Sequence, residues 1–305
     1  MKKINFVFTS TNYTGVQSQL SGLIDKHFDT NEVELSYGKY LDGAINISFF
    51  IKKRAEILMS HGVADKNYFF RKKPEGGRYL EEFKHGFVPG QRLKQRILDH
   101  KYVHMPEENI HVVGWPRMDY LLELQKKLAP ETAEQKANRK LKVLWAPTHD
   151  FNPGSSYPVF EQYLPALKEK FDVEVSLHPR NRESKKPTAE CLVEADVIIS
   201  DFGTMVYEAL ALGKPVLFPD WLIRDDVLER YAGRKNAGPA VLFNDDIGIH
   251  SKSFDDMMDT LIAGPVIDAR TKAFADSVIS PDTFGKSGLL AAQAALKIYQ
   301  QEKES

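Results

Sequence analysis

LVEADVIISDFGTMVYEALALGKPVLF, residues 192–218, decides how the rest of the chain is read. Ala195–Ser200 is a short apolar run, β-branched enough for a buried parallel strand. Asp201-Phe202-Gly203-Thr204 is a turn, with Gly203 allowing close backbone approach. Met205–Leu212 has a helical period that puts Met205, Ala209 and Leu212 on one face, with Val206 flanking it. Gly213 ends the helix, Pro215 forbids its restart, and Val216–Phe218 begins another strand. A strand that stops at a small-residue turn before a helix aims free N–H groups and a positive dipole end outward. That makes a ready anion site, above all for phosphate. Glu208, one turn into the helix, is placed to accept from ribose hydroxyls while Thr204 and the turn amides hold phosphates. An ordinary strand–turn–helix capped by Asp201 or Thr204 carries the same pattern, and this stretch alone does not separate the two.

The 305 residues suffice for two domains of ordinary size. With 41 basic against 42 acidic residues, the charge balance gives no general argument for nucleic acid, and none is expected as a partner. The single cysteine, Cys191, excludes an internal disulfide framework and a thiolate zinc cluster, and reads as a packed side chain. Lys2 and Lys3 lead into INFVFTS with no cleavage site, so no signal peptide is expected. No apolar run approaches the roughly 20 residues of a membrane span. The expected location is the cytoplasm, with peripheral attachment to the inner face of the plasma membrane left open.

Working outward, Ile4–Thr9 and Glu32–Tyr37 read as strands around a helix at Val16–His27, while Gly43–Arg54 fits neither period. Ala55–Met59 is a strand ending at Ser60-His61-Gly62, which puts His61 at a strand's carboxyl end, where open α/β sheets hold their chemistry. In Asn67–Gly90, Tyr68, Phe69 and Phe70 run into Arg71, Lys72 and Lys73, ahead of a second His-Gly pair at His85-Gly86. Aromatics beside basic residues suit an anionic membrane surface or a polyanionic acceptor, though a solvated loop over buried aromatics is the plainer reading. Gln91–Asp99 is a helix, Asn109–Val113 a strand, Gly114–Asp119 a turn and Tyr120–Leu128 a helix. The polar stretch Ala129–Arg139 marks the domain boundary. Beyond it, Lys142–Ala146 and Val173–Leu177 are strands flanking a helix at Val159–Lys170, and Ala240–Phe243 is a short strand. Helices at Phe254–Ile262, Asp268–Asp276 and Gly288–Gln300 close the chain. The division is 1–130, 140–285 and a final helix, 286–305, that could pack back on the first domain.

Strands alternating with helices predict an α/β fold with parallel sheets covered on both faces. The turns at 60–62, 114–119, 147–150, 178–180 and 201–204 all follow predicted strands, and two Rossmann-like domains would point them into one cleft. That convergence argues for an enzyme. Thr148, His149, His178, Arg180, Thr204 and Glu208 suit a nucleotide leaving group. There is no GxxxxGK[ST] loop and no GxGxxG, so neither a P-loop NTPase nor a dehydrogenase is expected. His149, His178, Asp150 and Asp201 match no compact zinc or iron spacing, and neither a metal nor a cofactor is expected. In the first half His61 is the candidate general base, being titratable near neutral pH. Asp65 is placed to orient it, Lys66 to hold an acceptor phosphate, and His85 is the competing base.

The ordered motifs resemble the CDP-glycerol glycerophosphotransferase family, the teichoic acid polymerases and their capsule-polymer relatives. His61-Gly62 with Lys66 is similar to its HGxxxK segment, and Gly114-Trp115-Pro116-Arg117-Met118-Asp119 to its GxPRxD turn. Leu144–Thr148 is similar to its strand ending in APT, and Leu177-His178-Pro179 to its HP turn. Asp196–Glu208 with Lys214-Pro215 is similar to its DxxIxD core, and Phe284–Ser287, less closely, to its final DGxxS turn. The resemblance implies a GT-B fold, with an acceptor domain, a nucleotide-donor domain and a cleft between them. It implies transfer of glycerol phosphate, or a related polyol phosphate, from a CDP-activated donor to a glycan or polyol-phosphate acceptor, free or lipid-linked, in cell-surface polymer synthesis. His61 would be the base, and Lys66 and Arg117 would hold the acceptor. Thr148, His149, His178, Arg180, Asp201, Gly203, Thr204 and Glu208 would hold the donor. Gly203-Thr204 stands where the family has paired serines, Glu208 replaces its aspartate, and His149-Asp150 replaces an aromatic and a basic residue. A carboxylate of Glu208's kind is what sugar-nucleotide GT-B enzymes use on the ribose. A glycosyltransferase taking a UDP- or CMP-activated sugar is therefore the alternative, and an inactive nucleotide-sugar-binding partner the second.

Overall fold

The computed structural model describes residues 1–8, 14–51, 54–63, 67–148, 154–178, 181, 186–223, 241–242 and 246–304. The chain divides into two compact units, Met1–Tyr120 with Asp276–Ser305, and Leu121–Ala275.

The first unit opens with β1 (Lys2–Val7), α1 (Thr14–Asp25), β2 (Val33–Gly38), β3 (Ile45–Ser48) and β4 (Ile57–Met59). It continues through β5 (His85–Val88), α2 (Gln91–Leu98), β6 (Ile110–Val112) and α3 (Pro116–Lys127). The strands pair in parallel in the order β2-β1-β3-β4-β5-β6. Ile4, Phe6, Ile47, Ile57 and Leu58 are fully enclosed, as strands covered on both faces require. The ambiguous stretch 43–54 contains central strand β3. Its polar Asn46 and Ser48 are buried and hide the apolar period. Asn46 is satisfied where it sits, donating to the Leu41 and Ala44 carbonyls and to Glu56, and accepting from Asn5 at 2.6 Å.

The second unit runs through α4 (Ala133–Asn138), β7 (Lys142–Trp145), a 3₁₀ turn (Val159–Tyr163), α5 (Leu164–Lys170) and β8 (Asp172–Val175). It continues with α6 (Thr188–Glu194), β9 (Val197–Ile199), α7 (Thr204–Ala211) and β10 (Val216–Pro219). It ends with β11 (Ile249–Ser251), α8 (Phe254–Ala263) and α9 (Ala269–Val278). Its strands are parallel in the order β11-β10-β9-β7-β8. Several local expectations change. Val241 and Leu242 are helical rather than part of a strand, and β11, which was not expected, takes the edge position. Helix α7 buries Val206–Leu210, while Met205 and Leu212 stay partly exposed, because the helix is covered on more than the one face its period suggested.

The chain closes with α10 (Ser287–Glu304) in the first unit. It starts tightly against α1: a Cβ on Gly288 would lie 2.0 Å from the Leu23 carbonyl. Its buried N-terminal amides are capped by Asp119, which accepts from Ser287 at 3.1 Å and Gly288 at 2.9 Å. Gly114 packs into the same joint. Its φ is +83°, and a Cβ there would meet Thr283 Oγ1 at 2.2 Å.

Candidate functional site

In the second unit the chain leaves β7 for β8 on one side, then crosses to β9 on the other. The topological switch point therefore lies between β7 and β9, at the carboxyl edge where open α/β sheets take ligands. Thr148 follows β7, His178 follows β8, Asp201 follows β9 and Asp220 follows β10. The parallel register sets all four along one edge of the sheet.

Asp201 joins the two strands at the switch point. Its Oδ2 accepts the Thr148 amide at 2.9 Å and the Ser156 amide at 3.0 Å. Ser155 Oγ donates back to the Thr148 carbonyl at 2.9 Å, so both ends of the segment after β7 are fastened there. Asp201 is fully buried, and burial pushes its carboxyl up to about 6, against the pull of the Ser156 and Thr148 hydrogen bonds. Gly203, at φ +120°, opens α7 and, as a glycine N-cap, supplies no side-chain cap to it. Thr204 is half-buried at its first position and Glu208 is buried one turn further on. His178 is half-buried, and its carbonyl accepts the Asn181 amide at 2.8 Å. His149, Asp150 and Arg180 lie outside the described residues.

The flanks of the same motif are structural. Asp196 takes Arg139 through both guanidinium nitrogens, at 2.6 and 3.0 Å, and accepts the Lys142 amide at 2.8 Å. Burial works against its ionisation, but Arg139 and that amide hold its carboxyl below the usual range. Lys214 donates to the Val193 carbonyl at 3.0 Å and to that of Ala195, and burial lowers its ammonium to about 8. Both residues tie α6 and the approach to β9 in place.

In the first unit His61 follows β4 and is half-buried. Its Nδ1 lies 3.0 Å from the Phe49 carbonyl, just past the end of β3, and its ring stacks on Phe50 at 4.1 Å. A carbonyl can only accept, so Nδ1 carries the proton and the basic lone pair falls on Nε2. The Phe49 carbonyl thus fixes the tautomer; the expected orienter Asp65, with Lys66, lies outside the described residues. Arg117 sits not in a turn but in the first turn of α3, half-buried, because Pro116 starts the helix. His85, the competing candidate for the base, does not share His61's place at a strand's carboxyl end. It begins β5, at the amino edge of the sheet, is buried, and shares a 3.3 Å contact with His111. Burial lowers the pKa of both, that of His111 to about 4.

Sequence reasoning missed one pair. His250 in β11 places Nδ1 3.0 Å from both oxygens of Asp220, while Nε2 faces the Leu242 and Ile247 carbonyls at 3.2 and 3.1 Å. Burial works against the charge, but Asp220 and the carbonyls raise the imidazole's pKa. An aspartate directly after the predicted strand at Val216 was the available signal; its partner was hidden because β11 was not read as a strand. Among the described residues no group of three or more His, Cys, Asp or Glu side chains is arranged to hold a metal, and no helix is long and apolar enough to cross a membrane.

Two parallel α/β units with candidate groups at their carboxyl edges define a GT-B-type protein, and solved structures match that fold across the chain. The Wall Teichoic Acid Polymerase TagF matches with a TM-score of 0.63 over 100% of this chain and 90% of that one, at 15% identity. A structure of the same polymerase soaked with CDPG matches at 0.61, with 13% identity and the same coverage. UDP-GlcNAc 2-epimerase from Neisseria meningitidis bound to UDP-GlcNAc matches at 0.56, with 14% identity over 97% of this chain and 100% of that one. In sequence, the chain is 32% identical over 124 residues to the teichoic acid glycerol-phosphate primase of Bacillus subtilis (strain 168). That match covers 35% of this chain and 32% of the primase, so the chain spans about a third of its curated relative. No family model matches the sequence.

Proposed function

We propose that the chain transfers glycerol phosphate from CDP-glycerol to a hydroxyl of a glycan or polyol-phosphate acceptor in cell-surface polymer synthesis. The observation that carries this reading is the switch point of the second unit. There helix α7 opens at Gly203 beside Thr148, in a segment that resembles the family's donor core. The sequence likeness to the glycerol-phosphate primase supports the same donor chemistry.

In this reading His61 Nε2 takes the proton of the acceptor hydroxyl, and the oxygen attacks the donor's β-phosphorus. The bond from that phosphorus to the bridging oxygen breaks, and CMP leaves with the electron pair. His178, Arg180, Thr204 and the α7 amides neutralise its phosphate, with Thr148, His149 and Gly203 lining the turn. Lys66 and Arg117 hold the acceptor phosphate. The test is CMP release from CDP-glycerol with a glycerol-phosphate-primed acceptor. His61→Ala should remove turnover while leaving CDP-glycerol binding nearly unchanged; unchanged turnover would eliminate His61 as the base. Glu208 favours a second reading, a UDP- or CMP-sugar donor, and a thermal response to uridine nucleotides alone would select it.

The same reading includes contact with an anionic membrane face through the first unit. Arg96 lies 4.7 Å over the Phe70 ring and Arg78 5.6 Å over Tyr102, while Arg71, Lys72, Lys101 and Tyr102 are exposed. Binding to anionic vesicles that weakens as salt rises supports it; no binding at low salt removes it.

A further inference from the structure

Asp201 was expected among the groups that hold the donor. Its position points to a different task. Both carboxylate oxygens are out of contact with solvent, and among the described residues Oδ1 has no hydrogen-bond partner. A ligand at the sheet edge cannot reach either oxygen as they stand. The other oxygen accepts two backbone amides of the segment that follows β7, and the Ser155 and Ser156 hydroxyls of that segment also favour the charged carboxylate. A fully buried carboxylate is a costly way to hold such a segment. It stands, moreover, at the switch point, between the strand ends that carry Thr148 and Thr204.

We infer that Asp201 is a positioning residue for the donor site: through Oδ2 it fastens the Thr148 and Ser156 amides to the turn that opens α7, and so sets the distance between Thr148 and Thr204. The inference rests on the donor reading above and changes one role within it. Thr148 and the α7 turn touch the donor, and Asp201 touches only them. An asparagine at 201 can place its carbonyl oxygen where Oδ2 stands and accept both amides. Alanine can accept neither.

The experiment uses the full chain with CDP-glycerol as the probe, and reads amide exchange at Thr148 and Ser156 alongside the dissociation constant. Asp201→Asn should keep both amides protected and hold affinity within about threefold of the unaltered protein. Asp201→Ala should expose both amides and weaken binding on the order of tenfold or more. If the alanine variant does not fold, Asp201→Ser, whose hydroxyl falls short of the Oδ2 position, takes its place with the same expectation. Two results overturn the inference. One is exposed amides with unchanged affinity. The other is an asparagine variant that keeps both amides protected yet binds as weakly as alanine, which would make the carboxylate itself a donor contact. Failure of the unaltered protein to bind CDP-glycerol, with both amides protected, would instead overturn the donor reading and this role with it.

Discussion

Replacing Asp119 with alanine should loosen the C-terminal helix of the first unit and leave the proposed donor site of the second unit alone. Asp119 is 4% exposed, and each of its oxygens takes one amide at the start of α10. Loss of a helix N-cap acceptor costs about 1 kcal/mol at an exposed site. Here the acceptor is a buried carboxylate serving two amides, and hydrogen bonds to charged groups contribute about 1.5–3 kcal/mol each. The expected loss is therefore about 3–6 kcal/mol, a large share of the roughly 5–15 kcal/mol that holds a domain together. Asp119→Asn keeps one acceptor oxygen and should lose about half as much. Urea unfolding followed by far-ultraviolet circular dichroism measures the loss, and amide exchange at Ser287 and Gly288 locates it. A change within about 0.5 kcal/mol for Asp119→Ala would refute the cap. Loss of transfer with stability intact would show instead that Asp119 works on substrate.

Gly114→Ala should strain the same joint, since φ is +83° and the new Cβ would meet Thr283 and Ser287; Gly43→Ala, at φ +78° with nothing within 4 Å, should cost less in the same urea assay. Acid should move the two units in opposite directions. His85 and His111 are depressed in the fold, so the first unit's stability is full above about pH 6.5 and is lost as pH falls toward 4. In the second unit His250 and Asp201 are both raised, so each binds its proton more readily folded than unfolded, and stability is gained as pH falls from 7 toward 5. Calorimetry at pH 7.5 and 5 should show one transition descending and the other rising; His111→Gln should flatten the first and Asp201→Asn the second, and two transitions moving together would refute the assignment. Phe50→Ala, which removes the ring stacked on His61, should lower kcat and alter its pH profile with donor KM little changed, and Phe50→Tyr should restore both.

The fold class was legible because the strands are short, apolar and β-branched, and each stops at a turn. Val197–Ile199, Ile57–Met59 and Lys142–Trp145 could hardly be anything else. What escaped the reading was structure made by polar residues. Strand β3 carries Asn46 and Ser48, which find their partners only in three dimensions. Strand β11 carries His250 and Ser251, with no apolar alternation to mark it. The face of α7 was misjudged because periodicity weighs Met205 and Leu212 by their hydrophobicity, while the sheet and neighbouring helices cover Tyr207 and Glu208 as well. For the candidate site, strand ends were readable and bonds were not. His61, Thr148, His178 and Asp201 could be placed after strands from local pattern alone. That Asp201 accepts two amides, and that His61 Nδ1 faces the Phe49 carbonyl, depends on neighbours distant in sequence.

The motifs that carry the resemblance are of two physical kinds. Gly114, Asp119 and Ser287 meet in one joint, so two segments nearly 170 positions apart are read as separate motifs only because the sequence separates them. Asp196 and Lys214 likewise fasten α6 and β9. Thr148, His178, Gly203 and Thr204, by contrast, lie along one sheet edge, past the ends of β7, β8 and β9. The departures from the family pattern, at His149-Asp150, Gly203-Thr204 and Glu208, fall in this second set or within a turn of it. None falls on Gly114, Asp119, Asp196 or Lys214. A frame kept intact beneath an altered edge is what a change of donor, rather than of fold, would leave behind. Nucleotide preference should therefore respond to exchange of Gly203-Thr204 or Glu208, and stability to exchange of Asp119 or Asp196.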